Sequence, residues 1–289
     1  MTRGPVKLGL GTVQFGQAYG ISNKRGQVAK EDVRAILERA AAGGIRTLDT
    51  AAGYGEAEKV LGDFARFTKS FRLVTKTIGS NNGVDAVLAR ARRSALLLDR
   101  QPIDLLLVHA AGDLLGPEGP ALWDALLGLR DQGLFRGIGI SAYVDDDPVA
   151  LARRFHPAAM QVPLSILDQR LIATGALATL KDLGVEIHVR SLFLQGLLFL
   201  PRDELSPKLR HAHPHLEAVR HKLSQAGLTP LEGAVAFANA QTAIDVALVG
   251  VTALSELDEI LAAAAKPPPA LEWKTLALDD ALVLTPSRW

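Results

Sequence analysis

Cysteine is absent from this chain of 289 residues. That excludes disulfides, thiolate nucleophiles and cysteine zinc sites, and it fits a reducing compartment, so a cytoplasmic location is expected. Charge bias is missing as well: 32 Lys and Arg against 31 Asp and Glu leave a formal net charge of +1. Nothing electrostatic therefore points to nucleic acid or to an acidic partner. No apolar run reaches the ~20 residues that a membrane span needs. Met1–Leu10 has no long apolar stretch, so neither a membrane span nor a secretory leader is expected. The chain also lacks GxGxxG after a strand, which argues against a Rossmann dinucleotide module.

What is present is a rhythm of short apolar segments, which holds most of the 48% hydrophobic residues. Strand-like runs read Lys7–Val13, Ile45–Asp49, Arg72–Thr77 and Ile103–His109, then Phe135–Ser141, Ala158–Leu164, Val185–Ser191 and Asp245–Gly250. Several are near-continuous rather than alternating, as in strands buried on both faces of a parallel sheet. Helical periodicity fills the gaps: Glu31–Ala42, Glu56–Phe67, Val84–Leu98, Ala121–Gln132, Pro148–Phe155, Thr174–Leu183, His215–Gln225, Pro230–Ala240 and Leu254–Ala265. Parallel neighbours need crossovers, and eight βα units in a chain of this length fit a closed α/β barrel, a single-domain (β/α)8 TIM barrel over residues 1–289. An open doubly wound sheet is the structural alternative. Pro267–Pro269 opens a short tail, taken to begin at about residue 266.

Three long segments, Gln14–Val28, Ala110–Gly119 and Leu192–Pro214, follow strands and would overhang one barrel face. Active sites of such barrels sit there, at the carboxyl ends of the strands. The residues at those ends are Thr12, Asp49, Lys76, His109, Ser141, Gln161, Ser191 and Gly250. Any one fits a solvated terminus. Asp49, Lys76 and His109 at successive strand ends point instead to chemistry, and Tyr54 follows Asp49 in a glycine-flanked loop that opens a helix.

The string DTAAGYGEAE at Asp49–Glu58 resembles the signature of the aldo-keto reductase superfamily. The resemblance runs from LGLGTVQFG at Leu8–Gly16, through IDLLLVH and GIGIS, to VALVGVTALSELDEI at Val246–Ile260. It implies a catalytic set of Asp49, Tyr54, Lys76 and His109. It implies hydride transfer between a nicotinamide and a small-molecule carbonyl or alcohol, with Tyr54 as general acid or base and His109 orienting the carbonyl oxygen. A free tyrosine ionises near ~10, so acid–base work at neutral pH needs ~4 kcal/mol of help. An ammonium at ~4 Å supplies about that much at an effective dielectric of 20, but only ~1 kcal/mol in bulk water. The resemblance gives this task to Lys76, held charged by Asp49, and the task requires a sheltered site.

It further implies a cofactor set of Thr12, Asp49, Ser141, Gln161, Arg190, Ser191, Gln195, Gly196, Gly250, Thr252, Glu256 and Glu259. Ser141 and Gln161 would hold the nicotinamide carboxamide. Ser191, Gln195 and Gly196 lie in the loop over the pyrophosphate. Gly250 through Glu259 would bind the adenosine end, where the segment enters a helix near Ser255 whose N-terminus favours phosphate; the alternative is that Ser255 is simply an N-cap.

Three positions depart from the family pattern. Ala142 stands where an asparagine often follows the serine. Glu256 and Gly250 stand where many NADP-dependent members carry basic groups, so NAD(H) is expected over NADP(H). Arg190 replaces an aromatic ring that stacks on the nicotinamide. It either stacks there, disfavouring the cationic NAD+ ring, or faces a carboxylate away from the cofactor.

His211, His213 and His215 form an HxHxH string. With no carboxylate pattern beside it, it is read as a solvated loop, and no metal site is expected. Phe15 and Tyr19 are expected to line the substrate pocket, with the tail residues Arg288 and Trp289 as further candidates. The competing function is an NADH-binding regulator on the same barrel, such as a bacterial cell-division regulator, with little turnover and a protein partner.

Overall fold

The computed structural model describes residues 7–289. Residues 1–6 of the stretch read for a leader lie outside the described residues. Eight parallel strands close in sequence order: β1 (Lys7–Gly11), β2 (Thr47–Asp49), β3 (Arg72–Lys76), β4 (Ile103–Val108), β5 (Phe135–Ser141), β6 (Ala159–Pro163), β7 (Glu186–Arg190) and β8 (Val246–Gly250). β8 pairs with β1 from Lys7↔Val246 to Gly11↔Gly250. That closure makes the fold a (β/α)8 barrel rather than an open sheet.

The near-continuous apolar runs are explained by two buried faces. Leu10, Leu48, Leu73, Leu106, Ile140, Val162, Val189 and Val249 pack outward against helix residues such as Val33, Ile36, Leu126 and Leu180 in the main core. The alternate residues Val74, Leu105, Leu107 and Ala159 form a separate apolar cluster inside the barrel. Glycine appears where this interior has no room. A Cβ on Gly9 would meet Leu248 and Val246 at 2.7 Å, and one on Gly139 would meet the Ala159 carbonyl at 2.4 Å. Two residues beyond Thr47, Val74 and Ala159 on the same face stand Asp49, Lys76 and Gln161, so the pleat aims all three into the mouth of the barrel.

Two expected helices are interrupted or begin late. Glu56–Phe67 is divided into Ala57–Asp63 and Ala65–Thr68, because Phe64 leaves the helical region at φ −105°, ψ 25°. Thr174–Leu183 starts only at Ala176, after Gly175 at φ +74°. Among the described residues no helix is long and apolar enough to cross a membrane.

Candidate active site

Each residue of the expected catalytic set is positioned by its element. Asp49 and Lys76 end β2 and β3. Their side chains are 4% and 1% exposed, and Lys76 Nζ donates to Asp49 Oδ1 at 2.5 Å. Lys76 also donates to the Thr50 carbonyl at 2.9 Å and approaches the Tyr54 hydroxyl at 3.4 Å. Burial opposes its charge, yet the Asp49 carboxylate and Tyr54 outweigh burial and raise its pKa above the ordinary lysine value. The sheltered ammonium that a working tyrosine requires is therefore in place.

His109 closes the far side, its ring edge-on to Tyr54 at 5.9 Å between centroids. Burial, then the charge of Lys76, push His109 down to about 4, with Arg190 acting in the same direction. The imidazole is thus neutral near pH 7. Between about 4 in the native state and the ordinary imidazole value of 6.5, the unfolded chain binds a proton that the native state does not. This contribution to stability is complete above the higher value and is lost as pH falls towards the lower one. His109→Gln is expected to flatten that part of the stability curve in urea unfolding. A slope unchanged by the substitution would remove the buried neutral imidazole from the account.

The Tyr54 loop is pinned from behind by Glu58, a residue of the signature string whose role the sequence left open. Glu58 is 2% exposed. It accepts from Thr75 Oγ1 at 2.6 Å and from Arg90 at 2.6 Å, and Arg90 donates onward to the Ala52 carbonyl at 3.2 Å. A carboxylate buried at the start of a helix is the signal that could have marked it.

A cavity of about 950 Å³ opens above this group, near the top of the ~300–1,000 Å³ range of small-ligand sites. It is lined by Asp49, Tyr54 and His109 and by every residue of the expected cofactor set. Lys76 lies beneath, reached through Tyr54. Thr12 Oγ1 donates to the Asp49 carbonyl at 3.0 Å. Gln161 Nε2 donates to Asp49 Oδ2 at 2.7 Å, so the expected cofactor set and the expected catalytic set share one carboxylate. Ser141 ends β5 beside it.

The loops after β1 and β7 meet across the cavity. Gln195 Nε2 donates to the Tyr19 hydroxyl at 3.2 Å, Ser22 Oγ to the Gln195 carbonyl at 3.4 Å, and Lys24 pairs with Glu204 at 2.7 Å. Ser191, Gln195 and Gly196 take left-handed backbone, at φ +64°, +54° and +89°. At the other end Glu256 accepts from Thr252 N at 2.6 Å and Thr252 Oγ1 at 2.8 Å, and Glu259 lines the wall nearby.

Several expectations are corrected. Among the described residues Arg190 meets a ring rather than a carboxylate: its guanidinium lies 4.2 Å over the Tyr143 ring and reaches the Ala142 carbonyl at 3.4 Å. Tyr143, which sequence reasoning missed, lines the cavity two residues beyond Ser141. Phe15 is 1% exposed and belongs to the core, because the short helical turn Val13–Gly16 points it inward. The tail does not reach the cavity. Arg288 binds Asp145 at 3.3 Å, and Trp289 Nε1 donates to the Leu282 carbonyl at 3.0 Å. The helix near Ser255 is Leu254–Ala264, and its N-cap is Ala253 rather than Ser255, with no side-chain cap hydrogen bond. The HxHxH string is not a loop throughout. His213 begins a helix ending at Gln225, and the three rings diverge to Asp280, Glu217 and the Leu276 carbonyl.

A model of the aldo/keto reductase family matches residues 7–277. An aldo-keto reductase of Mycolicibacterium smegmatis is 32% identical over 146 residues, covering 48% of this chain and 52% of that relative. Another, from Mycobacterium sp. (strain KMS), is 33% identical over 153 residues, covering 50% and 54%. The matches span about half the length of these curated relatives. Among solved structures, the holo form of aldo-keto reductase AKR11C1 from Bacillus halodurans superposes with a TM-score of 0.76 at 21% identity, covering 93% of this chain and 90% of that one. At that identity the likeness bears on the fold.

Proposed function

This chain belongs to the aldo/keto reductase family, and from that premise we propose that it is a nicotinamide-dependent oxidoreductase interconverting carbonyls and alcohols, with NAD(H) preferred over NADP(H). The observation that carries the reading is the buried relay from Asp49 through Lys76 to Tyr54 at the floor of the cavity. When bound, the nicotinamide supplies or accepts the hydride.

The chain's own residues handle the proton and the charge. Tyr54 Oη gives its proton to the carbonyl oxygen in reduction and takes one from the alcohol in oxidation. Lys76 stabilises the phenolate left behind, in a site dry enough for its charge to count. Asp49 keeps Lys76 ionised and aimed. His109, being neutral, donates a hydrogen bond to the oxygen rather than acting as a second charged acid.

The residues present suit a dinucleotide without a 2′-phosphate. Glu256 and Glu259 give one end of the cavity two carboxylates, and its lining contains one cation, Arg190. Arg190 acts at the reacting end, where its charge bears on His109. A 2′-phosphate would meet like charge at the acidic end, whereas ribose hydroxyls can donate to lone pairs that Thr252 leaves on Glu256. Ser141 and Gln161 would hold the carboxamide, and Thr12, Ser191, Gln195, Gly196, Gly250 and Thr252 the rest.

Fluorescence titration of the full chain is expected to give a Kd for NADH about tenfold or more below that for NADPH, and Glu256→Lys is expected to narrow the gap. A tenfold preference for NADPH would reject the assignment. Turnover on a panel of aldehydes, sugars and pyridoxal tests the chemistry. Tight NADH binding with no turnover on any of them would favour the regulator over the enzyme.

A further inference from the structure

Gln14 holds a position that the proton relay does not use. It sits in the turn Val13–Gly16, between the ends of β1 and β8. Its backbone is fixed, since the Val28 N–H donates to its carbonyl at 2.8 Å. Its carboxamide lies against Gly250: a Cβ there would stand 2.7 Å from Nε2, 2.8 Å from Oε1 and 3.1 Å from Cδ. The amide fills the space that any side chain at 250 would need.

Yet the oxygen of that carboxamide is buried with no hydrogen-bond partner among the described residues. The buried side-chain atoms lacking partners are Gln14 Oε1, Thr50 Oγ1, Asp113 Oδ2 and His188 Nδ1. Of these residues, Gln14 alone lines the cavity. Buried polar groups are rarely left unmatched unless a ligand or an ordered water completes them. Whichever way the amide is turned, it presents one acceptor and two donors. A pyrophosphate has only acceptors, so the oxygen needs a hydroxyl or an N–H. Ser141 and Gln161, where the carboxamide is expected, stand across the barrel on β5 and β6. The donors left on the β1–β8 side are the ribose hydroxyls and the adenine amino group, and of these the ribose hydroxyls, present in both halves of the cofactor, lie nearer the pyrophosphate.

Resting on the dinucleotide reading above, we propose that Gln14 is a further cofactor ligand, its Oε1 accepting from a ribose hydroxyl, and that position 250 is glycine so that this amide can stand there. Two substitutions should then damage the same contact by different routes. Gln14→Leu keeps the bulk and removes the polar atoms. Gly250→Ala leaves Gln14 intact but pushes its flexible end aside.

NADH titration of the folded proteins, checked by circular dichroism, gives the test. Each single variant is expected to raise Kd about tenfold. Gln14→Ala makes room for the added methyl, so Gln14→Ala/Gly250→Ala is expected to bind no more weakly than Gln14→Ala alone. Wild-type affinity in Gln14→Leu, or additive losses in the double variant, would overturn the proposal. A wild-type protein that binds neither NADH nor NAD+ would overturn the cofactor reading itself, and the Gln14 assignment with it.

Discussion

Tyr54→Phe is expected to lower carbonyl reduction by ~10²–10⁴-fold, the range for loss of a positioned proton donor, while NADH affinity stays near the wild-type value. The ring remains, so its edge contact with His109 and its packing are kept. Only the hydroxyl facing Lys76 at 3.4 Å goes. The loss should therefore fall on kcat, with little change in KM, because an interaction made only in the transition state has been removed. Single-turnover reduction of an aldehyde with bound NADH, read by absorbance, isolates that step. Full activity in Tyr54→Phe would end the assignment of Tyr54, and with it the role given to Lys76.

The second large effect is on stability. Lys76→Met leaves the Asp49 carboxylate buried with the Gln161 amide at 2.7 Å as its remaining side-chain donor. Breaking a buried ion pair from one side costs ~3–5 kcal/mol, because the surviving charge is neither solvated nor paired. At ~2–4 °C per kcal/mol for a protein of about this size, Tm should fall by roughly 10 °C. Removing the stranded charge tests the cause. Asp49→Asn/Lys76→Met should recover part of the loss, although it deletes one more native group. If Lys76→Met melted with the wild type, or if the double variant were less stable than the single one, the pair would not be the electrostatic unit described.

Much of the site could be read before any contact was known. Asp49, Lys76 and His109 stand at or just beyond the ends of strands whose apolar runs give no packing reason for Asp, Lys or His. Tyr54 follows in a loop whose glycines suit a turn. Glu58 was visible as a letter of the signature, but its work was not. It joins Thr75 and Arg90, which lie on separate elements. The Arg190 alternatives stayed open for a similar reason, since a guanidinium accepts a ring or a carboxylate equally well in the abstract. Phe15 lies outside the expected pocket because one helical turn, which nothing in Val13–Gly16 announces, rotates it from the cavity into the core.

The sequence by itself determined the barrel and the order of its parts, because strand and helix periodicities are local and the strand-end residues are neighbours of those runs. Tertiary structure alone decided what those residues touch. It placed Gln161 on Asp49 across 112 positions of chain, Gln14 against Gly250, Arg190 over Tyr143 and the tail away from the cavity. Each is a contact between residues from different elements, fixed by barrel closure and loop packing.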